Sequence, residues 1–282
     1  MSVDTSRRPV VLVAGAWLGG WAWEEVATRL RKDGHATYPV TLTGLGERVH
    51  LATPAVDLET HIADVLNILD YNGLDDAVLV GHSYAGTVVT AVADRRARRL
   101  NAIVYLDTSP LPSGTAIADV QPPEQREQQR LAVQQQGAGW KLPVPDRATI
   151  VAGTFGDASG LRDEHLDLIA ERATPQPYAT MTTPLRLKHR RPPATRRAAI
   201  FCAAGGIDVA TVRKLLAQGD PRAALFADPD WELHDLPTGH WAMFSEPGSL
   251  AKLLNAIAAR LDRGTHGENV RGHHASCGRV GQ

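Results

Sequence analysis

A serine at the junction of an apolar run and a run of small residues constrains the fold of this chain most. Apolar residues 78–80 lead into Gly81-His82-Ser83-Tyr84-Ala85-Gly86, and residues 87–93 continue as a predicted helix. A strand, a sharp turn and a helix in this order form a nucleophile elbow, in which small residues two positions before and after the serine let strand and helix approach closely. Gly81 and Ala85 hold these two positions. We therefore interpret Ser83 as a candidate nucleophile.

The remainder of the chain alternates apolar runs with amphipathic ones. Continuous apolar runs are typical of strands in a parallel sheet that is covered on both faces. We predict an α/β fold with a mostly parallel sheet of about six strands and helices on both faces. The predicted strands are residues 9–14, 35–42, 78–82, 101–106, 197–204 and 231–236.

The pattern changes between residues 110 and 193, where proline, glutamine and charged residues are frequent. Two polar helices, 121–136 and 161–172, are predicted there, without a strand of the main sheet. We predict that residues 110–193 form a helical cap inserted into a core made of residues 1–109 and 194–262. Residues 263–282 are rich in glycine and histidine and poor in apolar side chains, which predicts a disordered tail.

The composition argues against several classes of function. The formal net charge of -1 gives no overall field that would attract nucleic acid or an anionic membrane. Cys202 lies in an apolar run and Cys277 in the polar tail, so a structural disulfide is not expected and a cytoplasmic location is predicted. We recognise neither a secretory signal nor a run long enough to span a membrane.

The glycine clusters after the first two predicted strands do not fit the dinucleotide-binding pattern Gly-x-Gly-x-x-Gly. His273-His274 is interpreted as a solvated pair in the tail. We therefore expect no cofactor, no metal, and a small molecule as the only partner that the sequence indicates. The oligomeric state stays open, with a homodimer as one option.

A serine hydroxyl needs a base within hydrogen-bond reach and donors for the oxyanion. In hydrolases with a nucleophile elbow, the chain order is serine, acid, histidine. Gly239-His240-Trp241 follows the last predicted strand and precedes the final helix, and among eleven histidines only His240 is so placed. His240 is therefore the candidate base.

These segments resemble the α/β-hydrolase superfamily and, within it, the branch of methyl-salicylate esterases, hydroxynitrile lyases and EstC-like esterases. The resemblance covers most of residues 9–262. It implies the α/β-hydrolase fold, Ser83 as nucleophile, His240 as base, and the backbone N–H groups of Ala16 and Tyr84 as the oxyanion hole. The motifs that carry it are residues 15–23, 44–48, 81–86, 104–107 and 239–243, with cap segments 139–143 and 174–177.

Two positions depart from that branch. Ala14 stands where the branch usually has a histidine that supports the oxyanion loop, and Gly205 stands where it usually has the acid. Asp107, at the end of the strand after the nucleophile strand, is our predicted acid, because such a strand end lies at the active-site edge of the sheet. Asp208 is the alternative acid, although it also suits the N-cap of the next helix. A third option is that no acid completes the site.

Large apolar side chains near these motifs are candidates for a substrate pocket, although each could equally pack in the core. The candidates are Trp17, Trp140, Met181, Trp241 and Phe244.

The sequence thus predicts a carboxylesterase-like serine hydrolase that cleaves a small to medium apolar ester, lactone or thioester through an acyl-enzyme. The alternative is the same scaffold repurposed as a biosynthetic cyclase, dehydratase or lyase. Hydroxynitrile lyases of this branch carry a threonine at the position of Gly15 and a lysine at that of Trp241, so cyanohydrin cleavage is disfavoured. Haloalkane dehalogenation is disfavoured as well, since its nucleophile is an aspartate at the position of Ser83.

Overall fold

A parallel six-stranded sheet is the centre of the computed structural model, which describes residues 7–189 and 195–260. Its strand order is β2-β1-β3-β4-β7-β8, and each neighbouring pair is parallel. The remaining two strands, β5 and β6, form a separate antiparallel pair. The strands are β1 Val10–Val13, β2 Thr37–Val40, β3 Ala77–His82, β4 Leu100–Leu106, β5 Lys141–Leu142, β6 Gln176–Pro177, β7 Arg196–Cys202 and β8 Trp231–Leu236.

The predicted parallel sheet of about six strands is confirmed. The strand predicted over residues 35–42 is shorter, because it lies at the sheet edge and contains Pro39, which cannot donate to a ladder.

Helices cover both faces of the sheet. They are α1 Glu24–Lys32, α2 Leu58–Tyr71, α3 Ala85–Arg96, α4 Pro123–Gln136, α5 Arg147–Val151, α6 Asp163–Arg172, α7 Ala179–Thr182, α8 Val209–Ala217, α9 Ala242–Ser245 and α10 Pro247–Ala259. Short 3₁₀ helices lie at Gly20–Trp23, Gly46–Leu51, Ala97–Arg99, Ile117–Val120, Ala203–Gly205 and Ala224–Ala227.

Alternate residues of each central strand enter two different apolar cores. Val11 and Val13 belong to the core that includes α2 and α3, whereas Val10 and Leu12 belong to the core with α1 and α10. Successive side chains of a strand point to opposite faces, so a sheet buried on both sides needs apolar residues at every position. This requirement explains the continuous apolar runs of the sequence.

Residues 107–189 connect β4 to the 196–202 strand and contain α4 to α7 and the β5–β6 pair. The division of the chain into core, cap and tail stays a prediction. The predicted tail, with Cys277 and His273-His274, lies outside the described residues. Within the described ranges, no helix combines the length and the apolar character needed to cross a membrane.

A buried histidine ties α2 to the turn that follows β3. The carbonyl of Thr43 accepts a hydrogen bond of 2.9 Å from Nε2 of His61, so the other ring nitrogen, Nδ1, accepts from the Tyr84 hydroxyl at 2.9 Å. Burial lowers the pKa of His61 to about 4, which keeps the ring neutral near neutral pH. The Tyr84 side chain is thereby fixed by a fully buried partner.

This histidine predicts a specific acid sensitivity. A histidine in the unfolded chain has a pKa near 6.5. Below that pH, His61 binds a proton in the unfolded chain but stays neutral in the native protein. The resulting stability is complete above about pH 6.5 and falls by about 3 kcal/mol as the pH drops towards about 4. His61→Gln removes this titration. We therefore expect the free energy of unfolding in urea to fall less steeply with acid in the variant than in the wild type. Parallel profiles would contradict the assignment.

Candidate active site

Ser83 lies in the turn between β3 and α3, with its backbone in the left-handed region at φ +52°. A Cβ at Gly81 would lie 2.7 Å from a Val89 methyl group, and one at Gly86 would lie 2.6 Å from Thr108. Both glycines are therefore required by the close approach of strand, helix and neighbouring loop. The left-handed backbone conformation of Ser83 costs about 1–3 kcal/mol in a residue other than glycine. Residues strained in this way cluster at functional sites.

Asp107 and His240 form a hydrogen bond of 2.6 Å between Oδ2 of the carboxylate and Nδ1 of the ring. Asp107 directly follows β4 at φ +48°, and His240 lies in the loop between β8 and α9. The second carboxylate oxygen, Oδ1, accepts the backbone N–H of Cys202 at the end of β7 at 3.1 Å. Because a carboxylate accepts hydrogen bonds, Nδ1 of His240 carries the proton and Nε2 is left as the basic nitrogen.

Asp208, the alternative acid, makes different contacts. Its carboxylate accepts the N–H of Thr211 at 2.7 Å and caps the amino terminus of α8. A side-chain hydrogen bond with Thr211, with a smaller contribution from this backbone bond, holds the pKa of Asp208 below its usual value. The structure thus brings Asp107, and not Asp208, to His240.

A cavity of about 290 Å³ lies beside these residues and is lined by Ser83, Asp107 and His240. Three of the five predicted pocket residues line it: Trp17, Met181 and Trp241. Eight further residues line this cavity but were not selected in the sequence analysis: His82, Thr108, Ile117, Gln121, Gln125, Thr154, Phe155 and Gly156.

Trp140 and Phe244 are corrections to the predicted pocket, since neither lines this cavity. Trp140 lies next to β5, where the Lys141 ammonium group sits 4.5 Å from its ring centroid. Phe244 packs against Trp21, with ring centroids 5.8 Å apart, and lines a separate groove. Instead, Phe155 forms an aromatic wall of the cavity. Its ring makes an edge contact with that of Trp17, with the two centroids 4.9 Å apart. An aromatic residue beside a glycine in a connecting segment is the signal that could have found it.

The segment from Gly156 to Ser159 holds the loop of His240. The His240 N–H donates to the carbonyl of Asp157 at 2.7 Å, and the Gly239 N–H donates to that of Ser159 at 3.1 Å. Gly156 has φ +108°, and a Cβ there would lie 2.3 Å from Cγ of His240. The ring of His240 therefore packs directly against the backbone of Gly156.

His82 also holds the loop of His240. Its Nε2 donates to the His240 carbonyl at 3.0 Å, and the two rings lie 4.5 Å apart. Burial, with a smaller contribution from nearby His240, lowers the pKa of His82 well below its ordinary value. A neutral ring here adds no positive charge next to His240.

Ala16 and Tyr84 flank Ser83 along the cavity wall. In residues 7–189 and 195–260, neither backbone N–H has a hydrogen-bond acceptor. Two unused donors beside a strained serine could bind a developing oxyanion. Within the same ranges, no cluster of three or more histidine, cysteine or acidic residues is arranged to hold a metal ion.

Comparisons with known proteins identify the family of this chain. The sequence profile of the alpha/beta hydrolase family matches residues 10–253. The chain is 35% identical to a carbendazim hydrolyzing esterase from Nocardioides sp. over 255 residues, which cover 88% of this chain and 98% of the relative. It is 26% identical to methylesterase 7 of Arabidopsis thaliana over 269 residues, covering 90% and 97% of the two chains.

Among solved structures, an extracellular alpha/beta-hydrolase from a Paenibacillus species superposes with a TM-score of 0.73 at 20% identity, covering 90% of this chain and all of that one. That likeness shows the fold. The profile match and the Nocardioides relative show more: the chain belongs to the alpha/beta hydrolase family and is an esterase-type hydrolase.

Proposed function

We propose that Ser83, His240 and Asp107 are the nucleophile, base and acid of a serine carboxylesterase that needs no cofactor. The observation that carries the proposal is the 2.6 Å hydrogen bond between Asp107 and His240 beside a serine with φ +52° in the same cavity. Asp107 fixes the histidine tautomer and stabilises the imidazolium that forms during the reaction.

In the proposed reaction, Oγ of Ser83 attacks the ester carbonyl carbon while Nε2 of His240 takes the hydroxyl proton. The oxyanion accepts hydrogen bonds from the N–H groups of Ala16 and Tyr84. The alcohol leaves with the proton from His240. Water then attacks the acyl carbon while the same ring takes its proton, and Oγ of Ser83 leaves the acyl carbon and takes that proton back from His240. Among the described residues no hydrogen bond yet joins Ser83 to His240, and such bonds often tighten only when substrate binds.

The walls of the cavity indicate an ester with a compact apolar acyl group. Trp17, Phe155, Met181 and Trp241 supply apolar surface, and a cavity of about 290 Å³ lies at the small end of ligand sites. The relatives are named as a methylesterase and as an esterase that hydrolyses carbendazim, a compound with a methyl carbamate group. We therefore place methyl esters and methyl carbamates first, with lactones and thioesters of similar size after them.

We also propose a cytoplasmic location and a division into a core and an inserted cap. Cys202 is a buried free thiol, which fits a reducing compartment. Residues of the segment 117–156 form one wall of the cavity above the strand ends, which supports its description as a cap. A homodimer remains one option for the assembly.

The nucleophile is tested with a fluorophosphonate probe and a panel of methyl, aryl and carbamate esters. We expect the probe to modify Ser83, to be identified by peptide mass spectrometry, and Ser83→Ala to lose both labelling and turnover. Ser109→Ala, a serine outside the cavity lining, is the matched control and should behave as wild type. An unlabelled Ser83 in an enzyme that turns over no ester would favour the repurposed scaffold.

The acid is tested with a pair of matched substitutions. Asp107→Asn cannot hold the productive tautomer of His240, and kcat should fall by about 10⁴. Asp208→Asn should keep wild-type kcat, because asparagine is as good an N-cap as aspartate. Equal kcat for Asp107→Asn and wild type would exclude Asp107 as the acid.

Gly156 is expected to control the position of His240. Gly156→Ala places a methyl group inside the ring's van der Waals radius, and a displacement of about 1 Å should lower kcat about 100-fold. Gly114→Ala is the control, because Gly114 has a similar φ of +89° but no atom within 4 Å of the added Cβ. Loss of thermal stability common to both variants measures the backbone strain, and only the loss of activity specific to Gly156→Ala supports this role.

A further inference from the structure

A buried strap, defined here as residues 174–180, holds the loop that follows β1. The Trp17 N–H donates to Oε1 of Gln176 at 3.0 Å, and the Trp17 carbonyl accepts the Thr174 N–H at 3.0 Å. Both backbone groups of Trp17 are therefore bound to the strap. The strap itself is anchored elsewhere, because the hydroxyl of Thr174 accepts the Gly46 N–H at 2.9 Å.

The amide of Gln176 is oriented by its own partners. The Thr180 hydroxyl donates to the carbonyl of Pro177 at 2.6 Å, so its oxygen is free to accept the Gln176 amide NH₂ at 2.7 Å. This arrangement directs Oε1, and not the NH₂ group, at the Trp17 N–H. The Gln176 side chain is fully buried, so water does not compete for these bonds.

The loop needs an external support for two reasons. Trp17 has φ +65°, a conformation that a large side chain adopts only when its surroundings impose it. The preceding Ala14 has a methyl side chain, which cannot hydrogen-bond to the loop. The Ala16 N–H, which is unpaired within the described ranges, belongs to the Gly15–Ala16 peptide. That peptide shares the Cα of Ala16 with the Ala16–Trp17 peptide, so a displacement of the Ala16–Trp17 peptide would also move the Ala16 N–H relative to Ser83.

We propose that Gln176 is a positioning residue that aims the Ala16 N–H at the oxyanion, and this inference rests on the proposed function. Gln176 does not touch the reacting atoms. It acts by holding the adjacent peptide, so its loss should weaken binding of the transition state more than binding of the substrate. The strap thereby makes the oxyanion hole dependent on the segment between α6 and α7.

The test compares Gln176→Met with Gln129→Met. Methionine matches glutamine in length, and its thioether sulfur is only a weak acceptor for the Trp17 N–H. Gln129 is a second buried glutamine, in α4, whose amide makes no hydrogen bond within the described residues, so its replacement controls for the change of side chain. We expect Gln176→Met to lower kcat by about 10-fold to 100-fold with KM within about threefold, somewhat less than deletion of an oxyanion donor. Gln129→Met should keep the wild-type kcat.

A pair of substrates separates positioning from general damage. Sulfur accepts hydrogen bonds weakly, so a thionoester depends less on the oxyanion hole than the matching oxygen ester. Gln176→Met should lower the ratio of oxygen-ester to thionoester kcat/KM by about fivefold or more. An unchanged ratio overturns the proposal, whether both activities are retained or both fall together.

A second variant and a hydrogen-exchange measurement test the proposal if the first experiment cannot be done. If Gln176→Met does not fold, Thr180→Val removes the hydroxyl that orients the amide and should change the same ratio in the same direction. If the wild type turns over no ester, the proposed function fails, and the strap is judged by hydrogen exchange of the Trp17 amide in protein labelled with ¹⁵N-tryptophan. Exchange should be about tenfold faster in Gln176→Met than in Gln129→Met, since a buried hydrogen bond is lost. Equal rates would refute the strap.

Discussion

The hydrogen bond between Asp107 and His240 is the interaction on which the rest of the site depends. It joins residues 133 positions apart, and it exists because β4, β7 and β8 are parallel neighbours whose carboxyl ends meet at one edge. The Cys202 N–H, at the end of the intervening strand, holds the other carboxylate oxygen. The Asp107 carboxylate thus accepts hydrogen bonds from the end of β7 and from the β8–α9 loop.

The segment between β4 and β7 contacts two loops of the candidate active site. Backbone carbonyls of Asp157 and Ser159 hold the His240 loop, and Gln176 holds the loop of Trp17. Such contacts give this segment a structural role besides forming part of the cavity wall. Gly156 packs closely against the ring of His240, and Gln176 is fully buried where it binds Trp17.

Part of this architecture could be predicted because it depends on local spacing. Gly81, Ser83 and Ala85 predict the turn by their spacing. The structure shows why Gly81 is needed there, since a Cβ at Gly81 would lie 2.7 Å from a Val89 methyl group. The pocket could not be predicted with the same success. Trp140 lies in a motif that carries the resemblance and Phe244 directly follows one, yet neither lines the cavity. Sequence spacing does not define the direction of a side chain in such short or irregular segments.

The sequence by itself determined the sheet, the elbow at Ser83 and the position of His240 in a loop after the last strand, because apolar periodicity and turn geometry are local properties. It favoured Asp107 as the acid but left Asp208, or no acid at all, as alternatives, since both aspartates follow a strand of the sheet. Only the tertiary structure decided their contacts. Asp208 caps the first turn of α8, whereas Asp107, at the end of β4, is hydrogen-bonded to His240 in the β8–α9 loop. The same holds for Gln176, whose contact with Trp17 spans 159 positions and therefore depends on the tertiary arrangement of the segment between β4 and β7.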